Sequence, residues 1–134
     1  MKCLKIFPFK RTVLLVKQII EGGVRQRASD IHIEALESSV RVRYRIDGAL
    51  KQVMSYDLSI LAGITARIKI IGGMDIAEKR KPQDGRITIF VDRREFDVRV
   101  SILPTVYGEK TVMRLTSKDG LTKPKSGLGL DEDE

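Results

Sequence analysis

Residues 74 to 86, Met74-Asp-Ile-Ala-Glu-Lys-Arg-Lys-Pro-Gln-Asp-Gly-Arg86, separate an apolar stretch at helical spacing from one that alternates like a strand, and they fit neither pattern. Lys79, Arg80, Lys81 and Arg86 are cationic. Pro82 stops any helix, and Asp84-Gly85 is a turn signal. A dense, charged, proline-punctuated connection is either a solvated loop or a surface shaped to meet a partner.

Working outward, the segment before this stretch carries Leu58, Leu61, Ile64, Ile68 and Ile71 at helical spacing. Asp57 or Ser59 can cap that helix, and Gly72-Gly73 stops it. Further back, three runs alternate. Residues 30–36 place Ile31, Ile33 and Ala35 on one face and Asp30, His32 and Glu34 on the other. Residues 40–47 oppose Val40, Val42, Tyr44 and Ile46 to Arg41, Arg43, Arg45 and Asp47, and residues 50–56 are a weaker third strand after the Asp47-Gly48 turn. These three read as an antiparallel meander with one apolar and one basic face. The arginine stripe on that basic face is of the kind that is commonly just solvated. Ahead of the meander, Thr12 can cap a helix reaching about Gln26, with Val13, Val16, Ile20 and Val24 on one face. Gly22-Gly23 inside it costs roughly 2 kcal/mol relative to two alanines. Either the helix frays there or something packs close against its backbone.

After the charged stretch, residues 86–91 form a strand, Asp92-Arg93-Arg94 a tight turn, and residues 95–103 a second strand with Phe96, Val98, Val100 and Ile102 on one face. Residues 104–109 read as a loop and residues 110–116 as the last strand. The fold class expected is therefore α+β: two helices and about six mostly antiparallel strands.

A chain of 134 residues with 42% apolar content suffices for one domain and one core. It contains no run of 18 apolar residues, so no membrane-spanning segment is expected. Residues 1–11 lack the long apolar stretch and cleavage site of a signal peptide and read as an extension ahead of the domain, native or added. The lone Cys3 cannot form an internal disulfide, in keeping with a reducing cytoplasm. Residues 121–134 carry a net −2, which leaves +9 on the first 120 residues of a chain whose total is +7. That balance invites anionic partners without choosing among them. Residues 118–134, rich in glycine, lysine and proline and then acidic, have too few apolar groups to fold alone.

Most catalytic chemistry is absent. One His, one Cys and no Gly-x-Ser-x-Gly elbow argue against nucleophilic hydrolysis. His32 lacks the further ligands a metal would want. Gly108-Glu109-Lys110-Thr111 resembles the end of a phosphate-binding P-loop, but Glu109 interrupts the Gly-Lys pair and the segment enters a strand rather than a helix. No ATP hydrolysis is expected of this chain by itself. Arg99 and Arg114 stand out, because each lies in an otherwise apolar strand run. Such a guanidinium calls for a fixed partner: either a carboxylate such as Asp97, or a phosphate delivered from outside, which the planar five-donor fork suits well.

Taken together, Ala28-Ser-Asp-Ile-His-Ile-Glu34, Arg43-Tyr-Arg-Ile-Asp-Gly48, the Met74–Arg86 block, Asp97-Val-Arg-Val-Ser101 and Gly108-Glu-Lys-Thr-Val-Met-Arg-Leu115 resemble the amino-terminal domain of the type II secretion and type IV pilus assembly ATPases. The resemblance runs from about Thr12 to Ser117 with the motifs in family order. Gly22-Gly23 and Arg27 depart from the family pattern just before the first motif. The resemblance implies a PAS-like domain over 12–117 and, over 118–134, a linker toward a RecA-like P-loop domain that this chain does not reach. It further implies a hexameric ring, platform proteins at the inner membrane as partners, a cytoplasmic location peripheral to that membrane, and ATP and Mg bound by the full-length protein rather than by this chain. Arg99 and Arg114 would reach nucleotide phosphates on the RecA-like domain in the manner of arginine fingers. Glu78, Lys79, Arg80, Gln83 and Arg86 would lie at an interdomain or subunit interface. Two other classes compete: a small basic nucleic-acid-binding domain, which lacks interleaved aromatics, and a ligand-sensing PAS-type module, for which no residue constellation argues.

Overall fold

In the computed structural model the described residues run from 9 to 117, with side chains described from residue 12; the expected linker over 118–134 and most of the extension over 1–11 lie outside them. The elements are α1 (Phe9–Arg25), β1 (Asp30–Ala35), β2 (Ser39–Ile46), β3 (Ala49–Asp57), a 3₁₀ turn (Leu58–Ile60), α2 (Leu61–Gly72), β4 (Gln83–Val91), β5 (Arg94–Thr105) and β6 (Gly108–Ser117). They make the α+β arrangement expected, two helices with one six-stranded sheet of order β3-β2-β1-β6-β5-β4. Every neighbouring pair is antiparallel.

The sheet is two three-stranded meanders, β1-β2-β3 and β4-β5-β6, joined edge to edge through β1 and β6. Turn chemistry makes the hairpins. Asp47 and Gly48 both have positive φ, as do Asp92 and Arg93, the backbone that a two-residue turn between right-twisted strands requires. Period-2 alternation then sends Ile31, Ile33, Val42, Val98, Ile102 and Met113 to one face, where α1 and α2 cover them in a single core. The opposite face of the sheet carries the charged half of each alternation and, among the described residues, has no helix on it.

Close backbone approach explains two glycine features. A Cβ at Gly22 would lie 2.7 Å from the Tyr44 hydroxyl, and one at Gly23 would lie 2.8 Å from Ile31 Cδ1. The helix does not fray at this pair; it is pressed onto the sheet, and the fully buried Tyr44 donates a 2.6 Å hydrogen bond to the Ile19 carbonyl. Gly85 is the second case. The sequence marked Asp84-Gly85 as a turn, but both lie inside β4. A Cβ at Gly85 would stand 2.5 Å from the Gly72 carbonyl oxygen, so this glycine lets the strand cross the carboxyl end of α2 rather than bend.

Other boundaries differ for physical reasons. α1 begins at Phe9, so Thr12 is not its cap but a buried residue within it, facing Gly63 of α2. The expected 104–109 loop shrinks to Val106-Tyr107, because Thr105 pairs with Gly108 and Pro104 with Glu109. Asp57 caps the 3₁₀ turn, accepting from the Ser59 amide at 2.9 Å, and Gly73 ends α2 in the left-handed conformation. The Gly85→Ala variant is expected to lose about 2 kcal/mol of stability, since backbone rather than a flexible side chain must yield, and urea unfolding monitored by circular dichroism measures it.

Candidate phosphate-facing arginine row

The pairing register sets side chains in rows across the uncovered face. Arg86 of β4 is opposite Arg99 of β5, Arg99 is opposite Arg114 of β6, Arg114 is opposite Asp30 of β1, and Asp30 is opposite Arg45 of β2. Three guanidinium-bearing positions thus stand side by side over about 10 Å, two strand spacings. Like charges directly opposite one another repel. The flanking two are anchored. Arg86 Nη2 donates to Asp97 Oδ2 at 2.7 Å, and Arg114 Nε donates to Asp30 Oδ1 at 3.2 Å. Arg99, between them, is exposed and has no hydrogen-bond or ion-pair partner among the described residues.

Of the two partners open to Arg99 on sequence grounds, Asp97 is therefore taken by Arg86. Arg114 has a carboxylate, yet its side chain remains 72% exposed. The three arginines, with Asp84, Gly85 and Ser101, line an open groove of about 750 Å³. Asp97 and Asp30 each hold one flanking guanidinium and the Asp84 carboxylate accepts from the Ser101 hydroxyl at 2.9 Å, so an arriving anion would meet Arg99 and the outer nitrogens of Arg114 as donors.

The stripe on β2 is not the simply solvated surface expected. Arg41 and Arg43 close on Glu34, each with an Nη2 at 2.8 Å, and Lys110 adds a contact at 3.3 Å. Arg45 goes to Asp30 at 3.2 Å. Burial pushes the Glu34 carboxyl up, but hydrogen bonds from Arg43 and Arg41 outweigh it and hold the group down at about 2. His32, beside it, is pushed below its ordinary value by burial and by the Lys110 charge, a shift toward the neutral form. Among the described residues no group of three His, Cys, Asp or Glu side chains is arranged to hold a metal ion.

The Met74–Arg86 stretch is shaped from within. Gln83 Nε2 donates to the Asp75 and Glu78 carbonyls at 3.0 and 3.2 Å, while its Oε1 accepts from the Asp75 amide at 2.8 Å. The Glu78 carboxylate accepts from the Arg80 amide at 2.8 Å. Of the five interface candidates, Glu78 and Gln83 thus fold the loop, Lys79 and Arg80 point to solvent, and Arg86 joins the arginine row.

Sequence reasoning missed two residues here. Lys69 is 1% exposed and donates to the Glu78 carbonyl at 2.7 Å and to Glu109 Oε1 at 3.1 Å, tying the loop to α2 and β6. Glu109 gave a usable signal, since it alternates in phase with buried Thr111 and Met113. Asp30 was placed on the correct face, but its link to Arg114 spans 84 positions and needs the sheet order.

The match to the family described as "Type II/IV secretion system protein" covers residues 9–134. Over 120 residues the chain is 47% identical to the type IV pilus assembly ATPase PilB of Myxococcus xanthus, covering 89% of this chain and 21% of that protein. It is 46% identical over 121 residues to the type II secretion system protein E of Xanthomonas campestris pv. campestris, covering 90% and 21%. With the putative type II secretion system protein E of Escherichia coli K12 it shares 43% identity over 118 residues, covering 88% and 24%. The chain belongs to the type II/IV secretion system protein family, as its motifs implied. It spans between a fifth and a quarter of the length of these relatives. No helix among the described residues is long and apolar enough to cross a membrane.

Glu34 generates a pH prediction. Its folded-state value lies below the ordinary 4.5, so its contribution is fully present above that pH and is lost as pH falls toward about 2. The loss is on the order of 3 kcal/mol. Glu34→Gln is expected to flatten this acid limb, as measured by urea unfolding at successive pH values between those limits.

Proposed function

We propose that this chain is the non-catalytic domain of a secretion or pilus-assembly ATPase, supplying Arg99 and Arg114 to the nucleotide phosphates held by an adjoining RecA-like P-loop domain. The observation that carries the reading is the row of three guanidiniums on the uncovered sheet face, whose central member, Arg99, has no partner among the described residues. A row of mutually repelling cations is relieved by an anion, and a planar fork suits phosphoryl oxygens. Arriving only when the two domains close, such a cation stabilises charge that develops in phosphoryl transfer. The groove-lining segment Gly108–Leu115 is itself no P-loop, because it opens a strand and has no helix N-terminus to hold phosphates. ATP and Mg thus belong to the adjoining domain.

In this reading the uncovered face meets the chain's own RecA-like domain. Glu78, Lys79, Arg80, Gln83 and Arg86 lie at or near that contact or a contact with a neighbouring subunit of a hexameric ring. Platform proteins at the inner membrane hold the assembly on its cytoplasmic side, in support of protein secretion or pilus extension. The nucleic-acid alternative is weaker. The registers on either side of the arginine row carry Asp84, Ser101 and Val112, and Thr88, Asp97 and Thr116, none of them a stacking platform.

The test uses the longer protein in which this segment and a P-loop domain share one chain. Arg99→Ala and Arg114→Ala are each expected to lower ATP turnover on the order of 10³-fold, with a smaller change in KM for ATP. Turnover at the wild-type rate in both variants overturns the reading.

A further inference from the structure

We propose that Asp30 is a positioning residue for the phosphate-facing row, one that orients Arg114 while leaving its outer edge free. The proposal rests on the phosphate reading of Arg99 and Arg114. Asp30 occupies the register position opposite both Arg45 and Arg114, and its side chain is 10% exposed. Its two oxygens are divided between the two arginines. Oδ1 accepts from Arg114 Nε at 3.2 Å, and Oδ2 accepts from Arg45 Nε and from the Ser29 hydroxyl, each at 3.2 Å. The backbone beneath is pinned, because the Ser29 amide donates to the Arg45 carbonyl at 2.9 Å and the Ser29 carbonyl accepts from the Leu115 amide at 3.0 Å.

The choice of nitrogen matters. A guanidinium carries one Nε–H and four Nη–H donors. Among the described residues Arg114 is engaged through Nε only, which fixes the plane of the fork and leaves both Nη groups for an oxyanion. Arg45 is closed by comparison, since its Nη1 also donates to the Gly48 carbonyl at 3.0 Å. Asp30 therefore sits between an arginine that completes a turn and one held ready beside Arg99, which has no partner among the described residues. A freely rotating side chain would have to be ordered at each encounter with the anion.

Simple electrostatics and positioning give opposite signs. Removing the Asp30 charge makes the face more positive, so charge alone requires tighter anion binding for every neutral replacement. Positioning separates the neutral variants: Asn keeps an oxygen for Arg114 Nε, and Ala does not. The experiment titrates inorganic tripolyphosphate into the isotope-labelled chain at fixed ionic strength, following amide resonances of β5 and β6 in wild type, Asp30→Asn, Asp30→Ala and Arg99→Ala. Asp30→Asn is expected to bind as tightly as wild type or more tightly, and Asp30→Ala roughly tenfold more weakly than Asp30→Asn. Equal or tighter binding by Asp30→Ala overturns the positioning role while leaving the phosphate reading intact. Absence of wild-type binding at low salt, or binding indifferent to Arg99→Ala, overturns the phosphate reading and the positioning role with it. Nitrogen relaxation of the arginine Nε groups in the unsubstituted chain is a second measurement that needs no Asp30 variant to fold. Arg114 Nε is expected to be ordered and Arg99 Nε mobile, and equal mobility of the two overturns the proposal.

Discussion

The ladder between β1 and β6 is the constraint on which the rest of this structure depends. Each meander closes through short hairpins, so its pairings are local and entropically cheap. The central ladder is the non-local one: it brings Asp30 beside Arg114, 84 positions away. Its register is held from the apolar side. Ile31 and Met113 are fully buried partners, and a slip of one residue would turn them out of the core and drive Asp30 into it. The hydrophobic face thus clamps the alignment, and the charged face inherits it. Position along a row of cations is decided by packing on the other side of the sheet.

Charge on the uncovered face follows from that alignment. Glu34 gathers Arg41, Arg43 and Lys110, Asp30 gathers Arg45 and Arg114, and Asp97 takes Arg86. Arg99 is left without a carboxylate among the described residues. A buried charge must be compensated where it sits, whereas an exposed guanidinium tolerates having no partner because water solvates it. This asymmetry lets one cation stay available while its neighbours are fixed. On the helix side, the Lys69–Glu109 pair solves a different problem. It is buried and so is poor evidence of net stability, but losing one member would strand the other, and losing Lys69 would leave the Glu78 carbonyl of the Met74–Arg86 loop to Gln83 alone among the described residues.

Much of this was legible in the chain. Alternation assigned the side chains of residues 30–35 and 40–46 to their correct faces, because a strand's period is two whatever it pairs with, while Asp47 belongs to the turn rather than the strand. The Asp47-Gly48 turn and the Gly73 stop are local chemistry and were found where the residues placed them, whereas Asp57 caps the 3₁₀ turn ahead of α2 and the helix itself, from Leu61, has no side-chain cap. Local chemistry also misled. Asp84-Gly85 has the composition of a turn, yet its glycine serves a crossing with the Gly72 carbonyl, a contact that no neighbouring residue announces. Thr12 has the chemistry of a cap, and α1 simply starts a turn earlier.

By itself, then, the sequence determined the elements, the two faces of each strand, the family and the prominence of Arg99 and Arg114 within apolar strand runs. The tertiary structure alone decided who stands next to whom. It aligned Arg86, Arg99 and Arg114 in one row, gave Arg114 and Arg86 their carboxylates, left Arg99 with none among the described residues, and converted the β2 arginine stripe from solvated surface to ion pairs. The physical reason is that periodicity fixes the direction in which a side chain leaves its own strand. Its neighbours across the sheet depend on strand order and register, which are set by burial of apolar groups far apart in the chain.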